Sequence, residues 1–299
     1  MSQERKPHMP QNRPTHRPRR SALYMPASNA RAIEKARTLP CDVVILDLED
    51  AVAPEAKAEA RSLAVEAVRS GGFGAREVVI RVNGRDTPWG AADLGAAAAA
   101  RPDAVLVPKV STPDDLVHYA GALGGETRLW AMIETCAAVF RLDELARAGA
   151  ANRTEVWVAG TNDLVKEMRC RPGRDRAPLT PALSLAVMAA HSQGIAILDG
   201  VYNDIPDLEG LARECEQGLD LGFDGKTLIH PTHLETTNRA YTPDAEAVAW
   251  AQAVAAAFEA PENAGKGVLK VEGRMVERLH LAEAQRLIAI SEAIAAHQG

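Results

Sequence analysis

The chain has few cysteines and no pattern that uses them together. Its four cysteines lie far apart and none belongs to a C-x-x-C pair; they are Cys41, Cys136, Cys170 and Cys215. This spacing argues against the common zinc motifs and against a disulfide framework, because both rely on closely spaced or paired cysteines. The pattern is typical of a protein kept in a reducing compartment, and we expect a cytoplasmic location.

Long apolar runs and aromatic residues are also scarce. No run of about 18 apolar residues occurs, which argues against a transmembrane helix. The first residues lack the apolar core of a secretory signal. Only 4% of the residues are aromatic although 46% are hydrophobic, and alanine is abundant. Because alanine and leucine fill helices well, the composition favours a helix-rich α/β protein over a β-sandwich.

Positive charge is concentrated at the N-terminus. Residues 1–20 carry a net charge of +5 within a chain of net charge −6, which leaves −11 for the remainder. An acidic body is a poor partner for nucleic acid, and we expect neither nucleic-acid nor membrane binding. The basic segment also contains four prolines and cannot bury apolar surface. It is therefore predicted to be a disordered basic tail over residues 1–19.

Short apolar runs alternate with longer helical stretches along the rest of the chain. The eight runs that predict strands are Ala22–Met25, Asp42–Leu48, Glu77–Val82, Ala104–Val107, Leu129–Ile133, Glu155–Ala159, Gly194–Leu198 and Gly222–Gly225. Near-continuous apolar strands separated by helices imply a parallel sheet covered by helices, and eight strands close a barrel. No G-x-G-x-x-G motif or P-loop follows any strand, which disfavours an open doubly wound sheet. We therefore predict a (β/α)₈ TIM barrel over residues 20–242.

The pattern changes after Pro243. A helix at Asp244–Glu259, a short segment at Gly267–Gly273 and a final helix at Leu279–His297 are predicted there. Residues 243–299 therefore read as a C-terminal helical extension, which would serve as a lid or as a contact between subunits.

Polar and charged residues gather where the predicted strands end. They are Asp47, Glu49, Asp50, Arg81, Asn83, Lys109, Glu134, Asp163, Asp199 and Lys226. Barrel enzymes place their active sites at the carboxyl ends of the strands, so these side chains are expected to converge on one pocket. For any single residue, exposure to solvent at the end of a strand explains the charge equally well. Such residues recur at seven of the eight predicted strand ends, however, and this favours a functional site.

Glu134 and Asp163 are the best metal candidates, because they leave neighbouring strands. Two carboxylates suit Mg²⁺, which takes one or two protein carboxylates and keeps several waters. No cluster of histidine and cysteine favours zinc.

Arg81 is positioned to clamp a substrate carboxylate with its planar guanidinium, although an ion pair with Glu49 or Asp50 is the alternative. Lys109 would neutralise a carboxylate or support the metal ligands. The acids Asp47, Glu49 and Asp50 are too many to be direct ligands. They are expected to hold Arg81, Lys109 and metal-bound water in place.

Several motifs together resemble the citrate lyase β-subunit / malyl-CoA lyase family from about residue 20 to the end of the chain. The matching segments are Arg20–Asn29, Glu34–Lys35, Val44–Pro54, Arg81–Gly84, Val107–Lys109, Ile133–Glu134, Gly160–Leu164, Gly225–Lys226, Ile229–Pro231 and Gly273–Glu277. The L-D-L-E-D-A-V-A-P segment is specific in combination with the others, whereas each short motif alone is weak.

The resemblance implies a Mg²⁺-dependent barrel enzyme acting on a CoA thioester of the malyl-CoA type, with Mn²⁺ as an alternative ion. It implies that Glu134 and Asp163 hold the metal and that Arg81 binds the substrate's carboxylate or carbonyl. The residues implied to contact CoA are Tyr24, Asn29, Arg31 and Lys35. It also implies a homotrimer or homohexamer in which the C-terminal extension reaches a neighbouring subunit's active site.

One position departs from the family's pattern. The tail motif has Glu277 where the family usually has an aspartate that moves a proton during C–C chemistry. The added methylene shifts the carboxylate by roughly an ångström, and a misplacement of that size can cost about 100-fold in rate. The Arg20–Pro54 segment most resembles the branch that hydrolyses (3S)-malyl-CoA. Lyase and thioesterase therefore both stay open, beside a citrate lyase β-subunit working in a complex and a non-catalytic protein that binds through the basic arm.

Overall fold

A computed structural model describes residues 17–298 of the chain. Most of the predicted basic tail, residues 1–16, lies outside the described residues. Residues Arg19–Thr242 form one compact unit, and the residues from Pro243 onward belong to another.

Eight parallel strands close a barrel in the order of the sequence, with β8 pairing back to β1. The strands are β1 (Ser21–Pro26), β2 (Val43–Asp47), β3 (Glu77–Arg81), β4 (Ala104–Val107), β5 (Arg128–Ile133), β6 (Thr154–Ala159), β7 (Ala196–Asp199) and β8 (Gly225–Leu228). The predicted TIM barrel is confirmed.

Helices connect the strands on the outside of the barrel. They are α1 (Ala30–Ala36), α2 (Lys57–Ser70), α3 (Gly90–Ala100), α4 (Pro113–Ala122), α5 (Cys136–Val139), α6 (Leu142–Ala151), α7 (Thr161–Met168), α8 (Thr180–Ser192), α9 (Leu208–Leu221) and α10 (Leu234–Ala240). Short 3₁₀ turns at Pro54–Ala56 and Pro231–His233 begin two of these crossings.

The barrel strands bury both faces, which explains their near-continuous apolar sequences. In β2, Val43 and Ile45 belong to the cluster inside the barrel, whereas Val44 and Leu46 belong to the larger cluster between strands and helices. Successive side chains of a strand point to opposite faces, so an all-apolar strand is needed to fill both layers.

The position predicted for the eighth strand is wrong. Gly222 adopts a left-handed conformation (φ 95°) and ends α9, and the strand begins three residues later at Gly225. The observed strand contains Lys226 and Thr227, two polar residues that are almost fully buried. Their polarity hid the strand, because an apolar run was the signal used to find it.

The amino end of the barrel is held by a buried ion pair that the sequence prediction assigned to the tail. The Arg19 side chain is 8% exposed, and its Nε donates to Glu77 Oε2 at 2.7 Å. A second guanidinium nitrogen lies 3.2 Å from Glu155, and the group also stacks 5.3 Å from the Trp130 ring centroid. Arg19 therefore belongs to the barrel.

Lys226, near the start of β8, and Asp199, at the end of β7, form a structural network. Both side chains are 0% exposed, and Lys226 Nζ lies 2.9 Å from Asp199 Oδ2 and 2.7 Å from Glu214 Oε1 on α9. Arg176 completes the network by donating to Asp199 Oδ1 at 2.8 Å. The network joins β7 and β8 to α9, and neither residue lines the cavity at the carboxyl ends of the strands.

The C-terminal unit contains α11 (Ala245–Glu259), a two-stranded hairpin of β9 (Val268–Val271) and β10 (Arg274–Glu277), and α12 (Arg278–Gln298). Its core is lined by residues of all four elements: Ala251, Val254, Leu269, Val271, Val276 and Ala284. The hairpin was not predicted. Its two-residue turn, Glu272-Gly273, has positive φ at both positions, as a tight hairpin turn requires.

Across residues 17–298, no helix is both long enough and apolar enough to cross a membrane.

Replacing Lys226 by alanine is expected to destabilise the barrel by about 3–5 kcal/mol, because it leaves buried Asp199 without its main cation. The control is Arg147→Ala, which removes an exposed pair with Asp143 and is expected to leave stability near wild type. Urea unfolding of both variants measures the difference. Equal midpoints for the two would contradict the structural role of Lys226.

Candidate active site at the carboxyl ends of the strands

A cavity of about 320 Å³ opens at the carboxyl ends of the barrel strands. Its polar lining consists of Tyr24, Asp47, Asp50, Arg81, Glu134, Thr161, Asn162, Asp163, Asn203 and Thr227. Met132, Val158 and Val201 supply apolar surface among them. The lining residues come from seven of the eight strands or the segments that follow them, all but β4, and the cavity is large enough for a short acyl group.

Glu134 and Asp163, the predicted metal ligands, face a shared cation in this structure. Glu134 follows β5 and is 1% exposed, and Asp163 lies in the first turn of α7 after β6. The Lys109 ammonium contacts Asp163 and lies 3.5 Å from Glu134 Oε1. A positive group therefore sits between the two carboxylates, which is the arrangement that a bound cation would require.

Lys109 is held there by its own backbone. It has a left-handed conformation (φ 56°), which is uncommon for a residue other than glycine, asparagine or aspartate. This conformation aims its N–H at Glu134 Oε1, at 2.7 Å. Strained backbone of this kind persists where the surroundings fix it, and it clusters at functional sites.

Gly160 makes room for the buried carboxylate. A Cβ at this position would lie 2.3 Å from Glu134 Cβ and 2.5 Å from Glu134 Oε2. No side chain can be accommodated without moving Glu134, so the glycine of the Gly160–Leu164 motif is required by the metal candidate beside it.

The residues present fit a hard divalent cation. Among residues 17–298, no group of three or more His, Cys, Asp or Glu side chains is placed to hold a metal ion, so the candidate site has only two protein carboxylates to offer. Two carboxylates at the edge of an open cavity agree with Mg²⁺, which binds through one or two carboxylates and retains waters or takes substrate oxygens.

Arg81 forms an ion pair with Asp47 that uses two parallel hydrogen bonds. Arg81 Nε and Nη2 donate to the two Asp47 oxygens at 2.7 and 2.6 Å. The third nitrogen, Nη1, lies 2.9 Å from Glu49 and 3.4 Å from Asp50. The guanidinium is therefore in ion pairs with these acids, and it also lines the cavity.

Asp47 orients Arg81 and shapes the loop after β2. Besides the arginine, its oxygens accept the N–H groups of Glu49 at 2.8 Å and Ala51 at 3.1 Å. Both Asp47 oxygens are therefore engaged, and the carboxylate holds the Arg81 guanidinium in place.

Burial perturbs the acids beside Arg81 and Lys109. Burial raises the pKa of Glu49 to about 8 despite the neighbouring Arg81. Burial also raises the pKa of Glu134 to about 7, against the lowering effect of Lys109. Burial therefore favours the neutral form of Glu49, whereas Asp47 holds Arg81 through two hydrogen bonds.

The four residues expected to contact CoA do not lie together. Tyr24 is 8% exposed inside the barrel, with its ring 4.6 Å from the Arg81 guanidinium carbon. Burial raises the pKa of Tyr24, and its hydroxyl has no hydrogen-bond partner within residues 17–298. Asn29 instead caps α1 by accepting the Ala32 N–H at 3.0 Å, while Arg31 and Lys35 are exposed on that short helix. None of these last three lines the cavity.

Glu277 is the exposed last residue of β10 in the C-terminal unit. Its backbone N–H donates to His280 Nδ1 at 2.9 Å, and its carboxylate is carried at the end of the hairpin.

The sequence reasoning missed a pair of amides at the cavity. Asn162 and Asn203 donate to each other, at 3.3 and 2.8 Å, and so join the first turn of α7 to the loop after β7. Asn162 precedes Asp163 in a motif that had been singled out, so strand-end polarity could have identified it. Asn203 lies four residues beyond its strand, where no such signal exists.

Fold and site together define a barrel enzyme whose active site lies at the carboxyl ends of its strands. The chain belongs to the HpcH/HpaI aldolase/citrate lyase family, whose model matches residues 20–231. The predicted family resemblance is thereby confirmed.

Individual relatives cover nearly the whole chain. It is 48% identical over 279 residues to a (3S)-malyl-CoA thioesterase of Cereibacter sphaeroides, spanning 93% of this chain and 96% of that protein. It is 31% identical to an L-malyl-CoA/β-methylmalyl-CoA lyase of the same species, spanning 95% and 98%. It also resembles the crystal structure of the protein CitE from Mycobacterium tuberculosis in complex with magnesium, acetoacetate and coenzyme A. That match has a TM-score of 0.73 and 29% identity, and covers 93% of this chain and 99% of that one.

Gly160→Ala is expected to weaken divalent-cation binding strongly, because the new methyl group must displace the Glu134 carboxylate. Gly95→Ala is the control, since a Cβ there meets nothing within 4 Å. Calorimetric titration with MgCl₂ compares the two variants, with circular dichroism to check the fold. Wild-type affinity in a folded Gly160→Ala protein would show that Glu134 does not bind the ion.

Proposed function

We propose that this protein is a Mg²⁺-dependent thioesterase that hydrolyses (3S)-malyl-CoA to malate and free CoA. The observation that carries the proposal is the pair of carboxylates, Glu134 and Asp163, set around a cation in the same cavity as Arg81. The 48% identity to a (3S)-malyl-CoA thioesterase supports the choice of substrate and bond.

Glu134 and Asp163 would hold the metal, and Mn²⁺ could replace Mg²⁺ because both prefer oxygen ligands. Bound Mg²⁺ would supply Lewis-acid chemistry, polarising a substrate oxygen and offsetting developing negative charge. The magnesium in the related CitE structure supports this choice of ion.

Arg81 would bind the substrate's free carboxylate. Its guanidinium faces the cavity on the rigid end of β3 and is fixed by Asp47, so little flexibility is lost when an anion binds. Burial favours the neutral form of Glu49, which lessens its competition with the substrate for Arg81 Nη1. Ionisation of Glu49 as the pH rises would increase that competition.

Tyr24 would donate a hydrogen bond inside the cavity. Its buried hydroxyl lies beside Arg81 without a partner among the described residues. A buried polar group is normally hydrogen-bonded, so an oxygen of the acyl group is a fitting acceptor. This assignment moves Tyr24 from the CoA moiety to the acyl group, while Asn29, Arg31 and Lys35 remain candidates for the anionic CoA moiety.

Hydrolysis needs a base to take a proton from the attacking water. The oxygen of that water bonds to the thioester carbonyl carbon, the C–S bond breaks, and the sulfur leaves as the CoA thiol after taking up a proton. We assign the base role to Glu277 of a neighbouring subunit in a homotrimer or homohexamer.

The surroundings of Glu277 support such a contact between subunits. Val268 is paired with Glu277 across the hairpin and is 49% exposed, while Met275 and Leu279 are 77% and 61% exposed. Apolar side chains grouped around one carboxylate on a hairpin suit insertion against another protein surface.

C–C cleavage of the same substrate to glyoxylate and acetyl-CoA is the second candidate. The L-malyl-CoA/β-methylmalyl-CoA lyase relative supports it. The same residues would bind the substrate, and Glu277 would protonate the acetyl-CoA enolate. The substrate could also be a methylmalyl or citramalyl thioester. A hydrophobic pocket discriminates between substrates that differ by one methyl group by only about 1–3 kcal/mol.

Product analysis separates the candidates. The protein is incubated with (3S)-malyl-CoA and Mg²⁺, and free thiol and glyoxylate are followed together. Free thiol without glyoxylate is the expected result, and it should disappear in EDTA and in Glu134→Gln, which removes a metal-ligand charge. Glyoxylate without thiol would establish the lyase. If neither product forms, the result points to an acyl-carrier substrate, as for a citrate lyase β-subunit. Turnover that persists in EDTA would overturn the metal assignment.

Glu277→Asp is expected to raise C–C cleavage relative to hydrolysis, because it restores the carboxylate position usual in the family's lyases. The ratio of glyoxylate to free thiol measures the effect, and Glu272→Asp on the same hairpin is the control. If the ratio stays at the wild-type value, the extra methylene does not decide which bond breaks.

A further inference from the structure

The Lys109 ammonium takes the place of a cation between two acids. It contacts Asp163, and its nitrogen lies 3.5 Å from Glu134 Oε1. These are the two carboxylates assigned above to the metal. One side chain of the protein therefore makes the charge contacts that a divalent cation would make.

The position of Lys109 is built into the backbone. Its left-handed conformation and its N–H bond to Glu134 tie the main chain to the same carboxylate that the ammonium approaches. The side chain is 44% exposed, so solvent would allow it to point elsewhere. An ordinary surface ion pair contributes little to stability. The contacts of this half-exposed lysine with two acids, one of them buried, therefore indicate more than a surface ion pair.

The acids need such a partner whenever no metal is present. Glu134 is 1% exposed and is packed against Gly160, so it cannot turn away toward water. Asp163 lies in the first turn of α7 and lines the same cavity. Two carboxylates held together with one of them buried repel each other unless a cation lies between them.

We propose that Lys109 is a positioning residue that occupies the cation position of the metal-free enzyme and is displaced when Mg²⁺ binds. The inference rests on the proposed metal site. Metal binding is then an exchange of one cation for another: Lys109 keeps Glu134 and Asp163 in place for the metal and, in return, lowers the metal's apparent affinity.

The exchange has two measurable consequences. Removing the ammonium leaves the carboxylates without their internal cation, so the metal-free protein loses stability. The same change removes the competitor, so Mg²⁺ binds more tightly. A lysine that only supported the loop would lower stability without tightening Mg²⁺ binding.

The test compares wild type, Lys109→Gln and the control Lys166→Gln, which removes an exposed lysine from the same helix as Asp163. Calorimetric titration with MgCl₂ alone gives the dissociation constant, and thermal unfolding is measured in EDTA and in excess Mg²⁺. We expect Lys109→Gln to bind Mg²⁺ about tenfold more tightly, as the loss of a contact worth about 1.4 kcal/mol would give. Its melting temperature should fall in EDTA and recover in Mg²⁺.

Each other outcome has a definite meaning. Unchanged or weaker Mg²⁺ binding by Lys109→Gln, or equal tightening by Lys166→Gln, overturns the exchange. If Lys109→Gln does not fold without metal, Mg²⁺ during purification should restore it, and failure of that rescue also overturns the inference. Absence of Mg²⁺ binding by the wild-type protein would instead refute the metal site of the proposed function.

Discussion

Carboxylates buried at the ends of the barrel strands must be matched by cations, and this constraint organises the molecule. An isolated buried charge is costly, whereas a paired and hydrogen-bonded one is tolerated. Arg19 meets Glu77 at the amino end of the barrel, Lys226 meets Asp199 beside α9, and Arg81 meets Asp47 at the cavity. Each pair ties together elements that are distant in sequence.

The solvent exposure of each ion pair distinguishes the structural pairs from the functional ones. Lys226 has three oxygen partners and no exposure, so it has no capacity left for a ligand. Lys109 and Asp163, by contrast, are partly exposed at the cavity edge. Arg81 is intermediate, since Asp47 holds one side of the guanidinium while Nη1 lies beside Glu49, whose pKa is raised by burial. Reactivity therefore belongs to the pairs that remain open to solvent.

Periodicity predicted the barrel, and the resemblance of several motifs indicated the family. Strand-end position pointed to Asp47, Asp50, Arg81, Glu134 and Asp163, all of which line the cavity. Sequence reasoning missed whatever depends on side-chain direction. Asp199 ends β7 just as Arg81 ends β3, yet its side chain points to the helix layer, since one residue of register reverses the face. Lys226 was assigned to a strand end only because the eighth strand was predicted three residues too early. The Asn162–Asn203 bond and the left-handed backbone of Lys109 depend on loops meeting in space, which no local pattern records.

The hydrogen bonds of Asp47 give its ion pair a fixed polarity. The carboxylate accepts from Arg81 and also from two backbone N–H groups of its own loop, those of Glu49 and Ala51. Exchanging the two side chains would preserve opposite charges but would turn donors toward those N–H groups and leave them without acceptors. The acid must therefore stay on β2 and the base on β3. Opposite charge alone does not determine which residues these two positions tolerate.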